Sequence, residues 1–151
     1  SLSKQSNLAG YRAAFVAGDP ALVANLVEVR RHVGMMLPGP VQAAMTVALG
    51  DDEHVATQRL RYGVRREMLM EAFLAAGFRV EHSDAGLYLW GTRDEDCWET
   101  VGWLAERGIL VASGSFYGPS GGRHVRVALT ATDERIAAAA GRLSSGSHRQ
   151  A

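Results

Sequence analysis

The first twelve residues bring together groups that suit imine chemistry and phosphate binding. Lys4 is the single lysine of a 151-residue chain that carries fifteen arginines, and it follows the hydroxyls of Ser1 and Ser3. A lysine amine can lose its proton and condense with an aldehyde, whereas a guanidinium stays charged at any working pH. The hydroxyls before Lys4 and the planar cation of Arg12 after it are suitable partners for a phosphate. These residue types are common, so an exposed terminal lysine and an arginine on an edge strand are the alternative interpretation.

The composition excludes several classes of function. Sixteen acidic and sixteen basic residues give zero net charge, which argues against a broad nucleic-acid footprint. No stretch approaches the roughly eighteen apolar residues that a membrane-spanning helix needs. The only cysteine, Cys97, cannot form an internal disulfide, which fits a reducing cytoplasm. A chain of this length can bury about 70% of its unfolded surface, so it can hold a core of its own.

The elements that must position these residues begin with one strand and three helices. The strand covers 11–17, and Asp19 then caps a helix that starts at Pro20. Three- and four-residue spacings predict a buried stripe on this helix, formed by Leu22, Leu26, Val29 and Val33. Pro40 begins a second helix that ends at Gly50. The third and longest helix covers 51–76 and stops at Gly77.

The sequence predicts an apolar side and a solvent-facing side for the long helix. Its apolar positions fall in two adjacent rows, Leu60-Val64-Met68 and Leu69-Phe73-Ala76. Arg61 and Arg65 lie outside these rows, and we expect them to form a solvated face.

The second half alternates strands and helices, which predicts a compact α/β unit. The strands cover 78–81, 86–90, 109–112 and 124–129; the helices cover 94–107 and about 131–143; 113–122 is a glycine-rich loop, and the tail 144–151 is polar and expected to fray. The first half, by contrast, has a single strand with no sheet to join. Because a lone strand leaves its backbone groups unpaired, we expect its sheet to be completed by residues outside this sequence.

Other candidate groups are weaker. The five histidines show no paired spacing for a metal, and no Cys-x-x-Cys is present. His124 shares a strand face with Arg126, but a surface imidazole is the favoured interpretation. Cys97 follows an acidic stretch, which disfavours a thiolate. Trp90, Trp98 and Trp103 are interpreted as core or domain-interface aromatics.

Five segments, in this order and at this spacing, resemble one family. They are Ser-Leu-Ser-Lys-Gln-Ser-Asn-Leu-Ala-Gly-Tyr-Arg at 1–12, Pro-Gly-Pro-Val-Gln at 38–42, Asp-Ala-Gly-Leu-Tyr-Leu-Trp at 84–90, Gly-Ser-Phe-Tyr-Gly at 114–118 and His-Val-Arg-Val-Ala-Leu at 124–129. Together they are similar to the C-terminal portion of class I/II aminotransferases, the fold-type-I enzymes that depend on pyridoxal 5′-phosphate (PLP). The resemblance implies an α/β fold with the end of a PLP-binding large domain at 1–50, an interdomain helix at 51–77 and a small α/β domain at 78–151.

The resemblance also implies roles for five residues. Lys4 corresponds to the lysine that forms a Schiff base with PLP and then carries a proton between the amino-acid and keto-acid forms. Arg12 and Ser1, with Ser3, correspond to the residues that hold the cofactor phosphate. Arg126 corresponds to the arginine that pairs with the substrate α-carboxylate. Transamination needs an amine that is neutral near physiological pH, and carboxylate recognition favours a guanidinium fork.

Two positions depart from the family pattern, and much of the family's cofactor site lies upstream of its lysine. Ala14 stands where glycine is frequent and Ser113 where proline is frequent, and neither change removes a reacting group. The aspartate at the pyridinium nitrogen and the aromatic residue stacked on the ring belong to the upstream part. We therefore expect this chain to be a fragment that is inactive alone.

The expected whole protein is a cytoplasmic homodimer that acts on amino-acid and keto-acid substrates. Within the family, segments 115–119 and 124–135 most resemble N-succinyldiaminopimelate aminotransferases of lysine biosynthesis. The alternatives are another PLP enzyme of this fold, such as a β-lyase or decarboxylase, or a non-enzymatic α/β interaction domain.

Overall fold

A computed structural model describes residues 1–145, so the predicted fraying of the tail concerns residues that lie mostly outside the described part. The described chain divides into two compact units, one of residues 1–59 and one from residue 60 onward. The first contains α1 (Leu2–Gln5), α2 (Pro20–Val33), α3 (Gly39–Leu49) and the start of α4 (Glu53–Ala75). The second contains the rest of α4, four strands and two further helices: β1 (Arg79–Val80), β2 (Tyr88–Thr92), α5 (Cys97–Ala105), β3 (Ala112–Ser113), β4 (Val125–Ala128) and α6 (Asp133–Ser145).

The helices α2, α3 and α4 begin or end where local signals predict. The side chain of Asp19 accepts hydrogen bonds from the N–H groups of Ala21 and Leu22 at 2.9 and 3.0 Å, and Pro20 opens α2. Gly50 closes α3, and Gly77, at φ +83°, follows the end of α4. These predictions are confirmed because caps depend on residues only a few positions away.

The strand predicted at 11–17 is wrong. A 3-10 turn covers Ala9–Tyr11, Arg12 takes a left-handed conformation with φ 52°, and no strand is found between Arg12 and Asp19. The four described strands pair with one another, and none of them pairs with this segment. Without a partner for its backbone groups, a β-rich sequence has no ladder to join.

The stripe predicted to be buried on α2 is exposed. Its side chains keep between 39% and 70% of their surface accessible, namely Leu22, Leu26, Val29 and Val33. Among the described residues of the first unit, only Leu2 and Ala13 are buried hydrophobic residues. The spacing correctly predicts an amphipathic helix, but nothing within the described chain covers its apolar face.

The second unit is built on a four-stranded antiparallel sheet in the order β1-β2-β4-β3. One sheet face supplies Leu89, Val125 and Val127 to a core that is completed by residues of the three helices and their connections: Leu69, Ala72, Phe73, Phe78, Leu104, Ile109, Leu129, Ile136 and Leu143. Alternation along the strands therefore places Tyr88, Trp90 and Arg126 on the opposite face. The predicted α/β unit is confirmed, with β1, β3, β4 and α5 shorter than predicted and with β2 and α6 shifted by two residues.

Arg65 corrects the expectation of a solvated face on the long helix. Its guanidinium donates to Asp133 at 2.6 Å and to the carbonyl of Leu129 at 3.1 Å, and its side chain is only 13% exposed. The first of the two predicted apolar rows, Leu60, Val64 and Met68, is exposed, whereas Leu69 and Phe73 of the second row are buried. The second row alone therefore packs against the sheet.

Candidate active site

Lys4 lies in the last turn of α1, and its side chain is exposed. Ser1 caps this short helix, since its hydroxyl accepts from the N–H of Ser3 at 3.2 Å and donates to the hydroxyl of Ser3 at 3.1 Å. No described residue forms a hydrogen bond or ion pair with the Lys4 amine. The structure thus brings Ser1, Ser3 and Lys4 together on one helical turn and leaves the amine available for a ligand.

Arg12 follows the 3-10 turn after α1, and it is exposed. Its Nη1 donates to the carbonyl of Ala9 at 3.1 Å, which holds one edge of the guanidinium against the turn. No described carboxylate pairs with Arg12 or Lys4. Two cations with no acidic partner, together with two hydroxyls, form a donor set whose chemistry fits a phosphate.

Arg126 lies on the polar face of the sheet in the second unit, which is the face opposite the core and also carries Tyr88 and Trp90. It stands opposite Trp90 on β2 and Ala112 on β3. The centre of its guanidinium lies 4.1 Å from the ring centre of Tyr88 and 4.9 Å from that of Tyr117. Its Nε is buried and has no hydrogen-bond acceptor among the described residues. A buried donor without an acceptor is costly, and an anion bound at this guanidinium would satisfy it.

Aromatic rings surround Arg126 on this face. Trp90 stacks on His124 with ring centres 5.2 Å apart and planes 8° from parallel, and it meets Tyr117 edge-on at 5.7 Å. The side chains of Trp90 and His124 are half-buried, and the Nδ1 of His124 is a buried atom without a described partner. Trp90 therefore belongs to the face around Arg126, and His124 is stacked within it rather than free at the surface.

The glycine-rich loop brings Tyr117 to this face. The loop forms two 3-10 turns, Gly114–Tyr117 and Pro119–Gly121, that pass close to each other. The N–H of Gly114 donates to the carbonyl of His124 at 2.8 Å, and the N–H of His124 donates to the carbonyl of Gly121 at 2.9 Å. A Cβ on Gly114 would lie 2.2 Å from the carbonyl oxygen of Gly121, so only glycine permits this approach.

Comparison with known proteins gives the family. Residues 1–143 match the model of "Aminotransferase class I and II". The chain belongs to the class I and II aminotransferases. Among the relatives, a probable aminotransferase of Mycobacterium tuberculosis is 65% identical over 144 residues, which cover 95% of this chain and 34% of that protein. The 4-dedimethylamino-4-oxo-anhydrotetracycline transaminase of Streptomyces rimosus is 62% identical, over 95% of this chain and 40% of that enzyme.

Solved structures of aminotransferases have the same fold. One from Neisseria meningitidis superposes with a TM-score of 0.86 at 33% identity, covering 96% of this chain and 39% of that one. A probable N-succinyldiaminopimelate aminotransferase from Thermus thermophilus superposes with a TM-score of 0.84 at 32% identity, covering 96% and 40%. The chain thus spans about two fifths of the aminotransferases that it matches.

Aminotransferases of this family use PLP, and the residues of the first unit fit part of that cofactor. An amine without a partner suits its aldehyde, and the hydroxyls and guanidinium near it suit its phosphate. The described residues contain no cluster of histidine, cysteine, aspartate or glutamate that suits a metal ion. A helix long and apolar enough to cross a membrane is also not found in the described part of the chain.

Sequence reasoning missed Tyr88 and Tyr117 as neighbours of Arg126. Tyr88 has a sequence signal, because it alternates with Trp90 on a strand that pairs with the arginine strand. Tyr117 has none, because it reaches Arg126 only through the close glycine contact of its loop.

Cys97 also differs from its prediction. It is buried at the start of α5, and the hydroxyl of Ser113 donates to its sulfur at 3.2 Å. This hydrogen bond lowers the pKa of the Cys97 thiol below its ordinary value, although burial opposes the shift. The acidic residues near Cys97 therefore do not set the direction of its pKa shift, because Ser113 contacts the sulfur directly.

Proposed function

We propose that this chain is the lysine-bearing, C-terminal part of a PLP-dependent aminotransferase that transfers an amino group between an amino acid and a 2-oxo acid. Membership of the class I and II aminotransferases supports the reaction. The observation that carries the proposal is the exposed amine of Lys4, the only lysine in the sequence, which has no partner among the described residues. Lys4 binds the cofactor aldehyde and moves the substrate proton, while Arg12, Ser1 and Ser3 hold the phosphate.

The cofactor supplies an electron sink, and the residues of this chain supply orientation and proton transfer. The neutral amine of Lys4 acts as a base toward the α-carbon of the substrate and returns the proton as an acid. Arg126 binds the α-carboxylate through its free guanidinium donors, and the rings of Tyr88 and Tyr117 hold the cation in place.

N-succinyl-diaminopimelate, with 2-oxoglutarate or glutamate as the second substrate, is our first choice of substrate. The segments at 115–119 and 124–135 support it, as does the likeness to the Thermus thermophilus protein. A larger aromatic ketone is the second candidate. It is supported by the 62% identity to the tetracycline-precursor transaminase and by the aromatic side chains around Arg126.

We further propose that the whole protein is a cytoplasmic homodimer and that 1–50, 51–77 and 78–151 serve as large-domain end, interdomain helix and small domain. The single free cysteine agrees with a reducing compartment. Analytical ultracentrifugation of the whole protein tests the dimer, and a monomer at working concentration would contradict it.

Borohydride reduction of the full-length, PLP-loaded protein tests the role of Lys4. Reduction converts an imine to a stable amine, so we expect the pyridoxyl label on the peptide that contains Lys4. Peptide mass spectrometry locates the label, and Lys4→Ala should abolish both labelling at that peptide and turnover. A label found only on other peptides would refute the proposed function.

Replacement of Arg126 tests carboxylate binding. Arg126→Ala should lower kcat/KM by about ten- to a hundredfold, since a hydrogen bond to a charged group contributes about 1.5–3 kcal/mol. Steady-state kinetics with N-succinyl-diaminopimelate and with an aromatic ketone acceptor would also separate the two substrate candidates. Arg135→Ala, on an exposed position of α6, is the matched control and should leave kinetics unchanged. Wild-type kinetics for Arg126→Ala would contradict the assigned role.

A further inference from the structure

The segment that carries Lys4 is too short to fix its own geometry. The helix α1 has four residues, and a single helical turn is unstable by itself because few hydrogen bonds offset the cost of nucleation. One anchor is Leu2, whose side chain is fully buried. Its N–H donates to the carbonyl of Ala13 at 3.2 Å, and its carbonyl accepts from Ser6 and Leu8 at 3.1 and 3.2 Å. The position of Lys4 therefore depends on tertiary contacts of its neighbours.

A second anchor joins this segment to the start of α4. Ser6 closes α1 two residues after Lys4, and its hydroxyl lies 3.0 Å from Nε2 of His54, which is 48 residues away in the sequence. On the other side of the imidazole, Nδ1 lies 3.1 Å from a carboxylate oxygen of Asp51. That contact is close enough for charge attraction, but the ring N–H is out of line for a hydrogen bond, and Nδ1 has no hydrogen-bond acceptor.

Asp51 also caps α4 and so remains ionised beside the imidazole. Its other carboxylate oxygen accepts from the N–H groups of Glu53 and His54 at 3.0 and 3.3 Å. These bonds, chiefly the one from His54, lower the pKa of Asp51 below its ordinary value. A negative charge at Nδ1 favours the tautomer with its hydrogen there, which leaves Nε2 to accept from the Ser6 hydroxyl.

Packing alone does not hold this contact. An open cleft of about 410 Å³ lies beside it, lined by Ser6, Leu8, Ala44, Val47, Ala48, Asp51 and His54. Side chains that border open space lack neighbours on one side and lose the dispersion contacts that would fix them. The hydrogen bond between Ser6 and His54 is therefore the side-chain restraint that ties the chain just after Lys4 to α4.

We infer that Ser6 and His54 are positioning residues that hold the amine of Lys4 at the reacting centre, with the charge of Asp51 favouring the imidazole tautomer that accepts from Ser6. The inference rests on the proposed function of Lys4 and adds two residues to its machinery. Displacing a reacting group by about 1 Å can lower the reaction rate up to a hundredfold. Contacts that restrain the one-turn helix α1 should therefore raise kcat. The Ser-His-Asp order does not make Ser6 a nucleophile, because the carboxylate is out of line with the ring that it would have to orient.

A double-mutant cycle in the full-length, PLP-loaded enzyme tests the inference. Ser6→Ala and His54→Phe should each lower kcat about fivefold with KM within about twofold, the value of one neutral hydrogen bond of about 1 kcal/mol. The double variant should be no slower than either single variant, because both remove the same bond. His54→Gln retains a side-chain acceptor and should recover part of the rate. His32→Phe, on the exposed face of α2, is the matched control and should behave as wild type.

Two further measurements do not depend on turnover. Hydrogen exchange of the peptide spanning residues 1–12, measured without PLP, should be faster in Ser6→Ala and His54→Phe than in the wild type or His32→Phe. Visible circular dichroism of the PLP-loaded protein should change in the same two variants, since it reports how the cofactor is held. Equal melting temperatures would show that the effects are local.

The failures of the two proposals can be told apart. If borohydride labels Lys4 while Ser6→Ala and His54→Phe match the wild type in kcat, exchange and dichroism, the positioning role is overturned and the proposed function stands. Additive losses in the double variant would also overturn it, since the two residues would then act separately. A label absent from Lys4 would instead refute the proposed function itself.

Discussion

The arginines of this chain differ according to what each one faces. Arg65 is neutralised by Asp133 and a backbone carbonyl, so its role is structural. Arg126 lies between two tyrosine rings and has a buried Nε with no acceptor, which suits binding of an anion. Helical spacing predicts that Arg65 faces solvent. It does not reveal the contact with Asp133, because that residue lies 68 positions away and only the fold brings it close. The same residue type thus stabilises one site and is left available at another.

The thiol of Cys97 gives a prediction at the residue scale. Ser113→Ala removes the hydroxyl that donates to the sulfur and is the largest cause of the lowered pKa, so the pKa of Cys97 should rise toward its ordinary value. The ultraviolet absorbance of the thiolate, followed against pH, measures the change. Ser120→Ala, at an exposed position, should leave the titration unchanged. A thiol pKa that stays low in Ser113→Ala would contradict the assigned cause.

Among the elements, the glycine-rich loop shows how backbone packing positions a side chain. Gly114 and Gly121 approach so closely that neither tolerates a Cβ, and the turn between them carries Tyr117. Tyr117 then contacts both Arg126 and Trp90. The loop therefore supports the polar sheet face through close backbone packing, and its sequence lacks the Gly-Lys-Ser/Thr ending of a nucleotide-binding P-loop.

Two glycine-to-alanine substitutions should have opposite effects. In Gly114→Ala the new Cβ would lie 2.2 and 2.4 Å from backbone oxygens of Gly121 and His124, so we expect a loss of about 1–3 kcal/mol or more in the free energy of unfolding. Gly102 lies within α5 with open space around it, so Gly102→Ala should stabilise by about 0.5–1 kcal/mol. Urea denaturation measures both. Equal stability of the two variants would show that the loop relaxes freely.

At the scale of the whole molecule, the two units differ in how much apolar surface they bury. The second has a continuous core, whereas the described first unit buries Leu2 and Ala13 and exposes most of its apolar side chains. Large exposed apolar patches mark surfaces that other parts of a protein cover. Since the matched aminotransferases are about two and a half times as long, we expect the part of the whole enzyme outside this chain to cover the α2 stripe.

Substitutions on that stripe test this expectation. Leu22→Gln with Val33→Gln should leave the melting temperature of the 151-residue chain unchanged and reduce its binding of a hydrophobic dye, since both side chains are exposed. In the full-length enzyme the same pair should lower the melting temperature, because the polar amides would then be buried. Leu110→Gln, at a position 91% exposed, is the control and should be neutral in both proteins. An unchanged full-length enzyme would show that the stripe stays in contact with water.

What the sequence by itself determined is what local chemistry controls. The cap at Asp19, the stops at Gly50 and Gly77 and the order of the elements after residue 19 depend on residues a few positions apart. The role expected for Lys4 comes from the resemblance of segment 1–12 to the family, and Lys4 is the only lysine of this sequence. Only the tertiary structure decided which contacts form between distant residues. The segment 11–17 is not a strand because it has no partner, Tyr117 reaches Arg126 through a close backbone contact, and Ser6 meets His54 across 48 residues. Such contacts depend on chain closure and on space left by neighbouring elements, which periodicity along one chain does not encode.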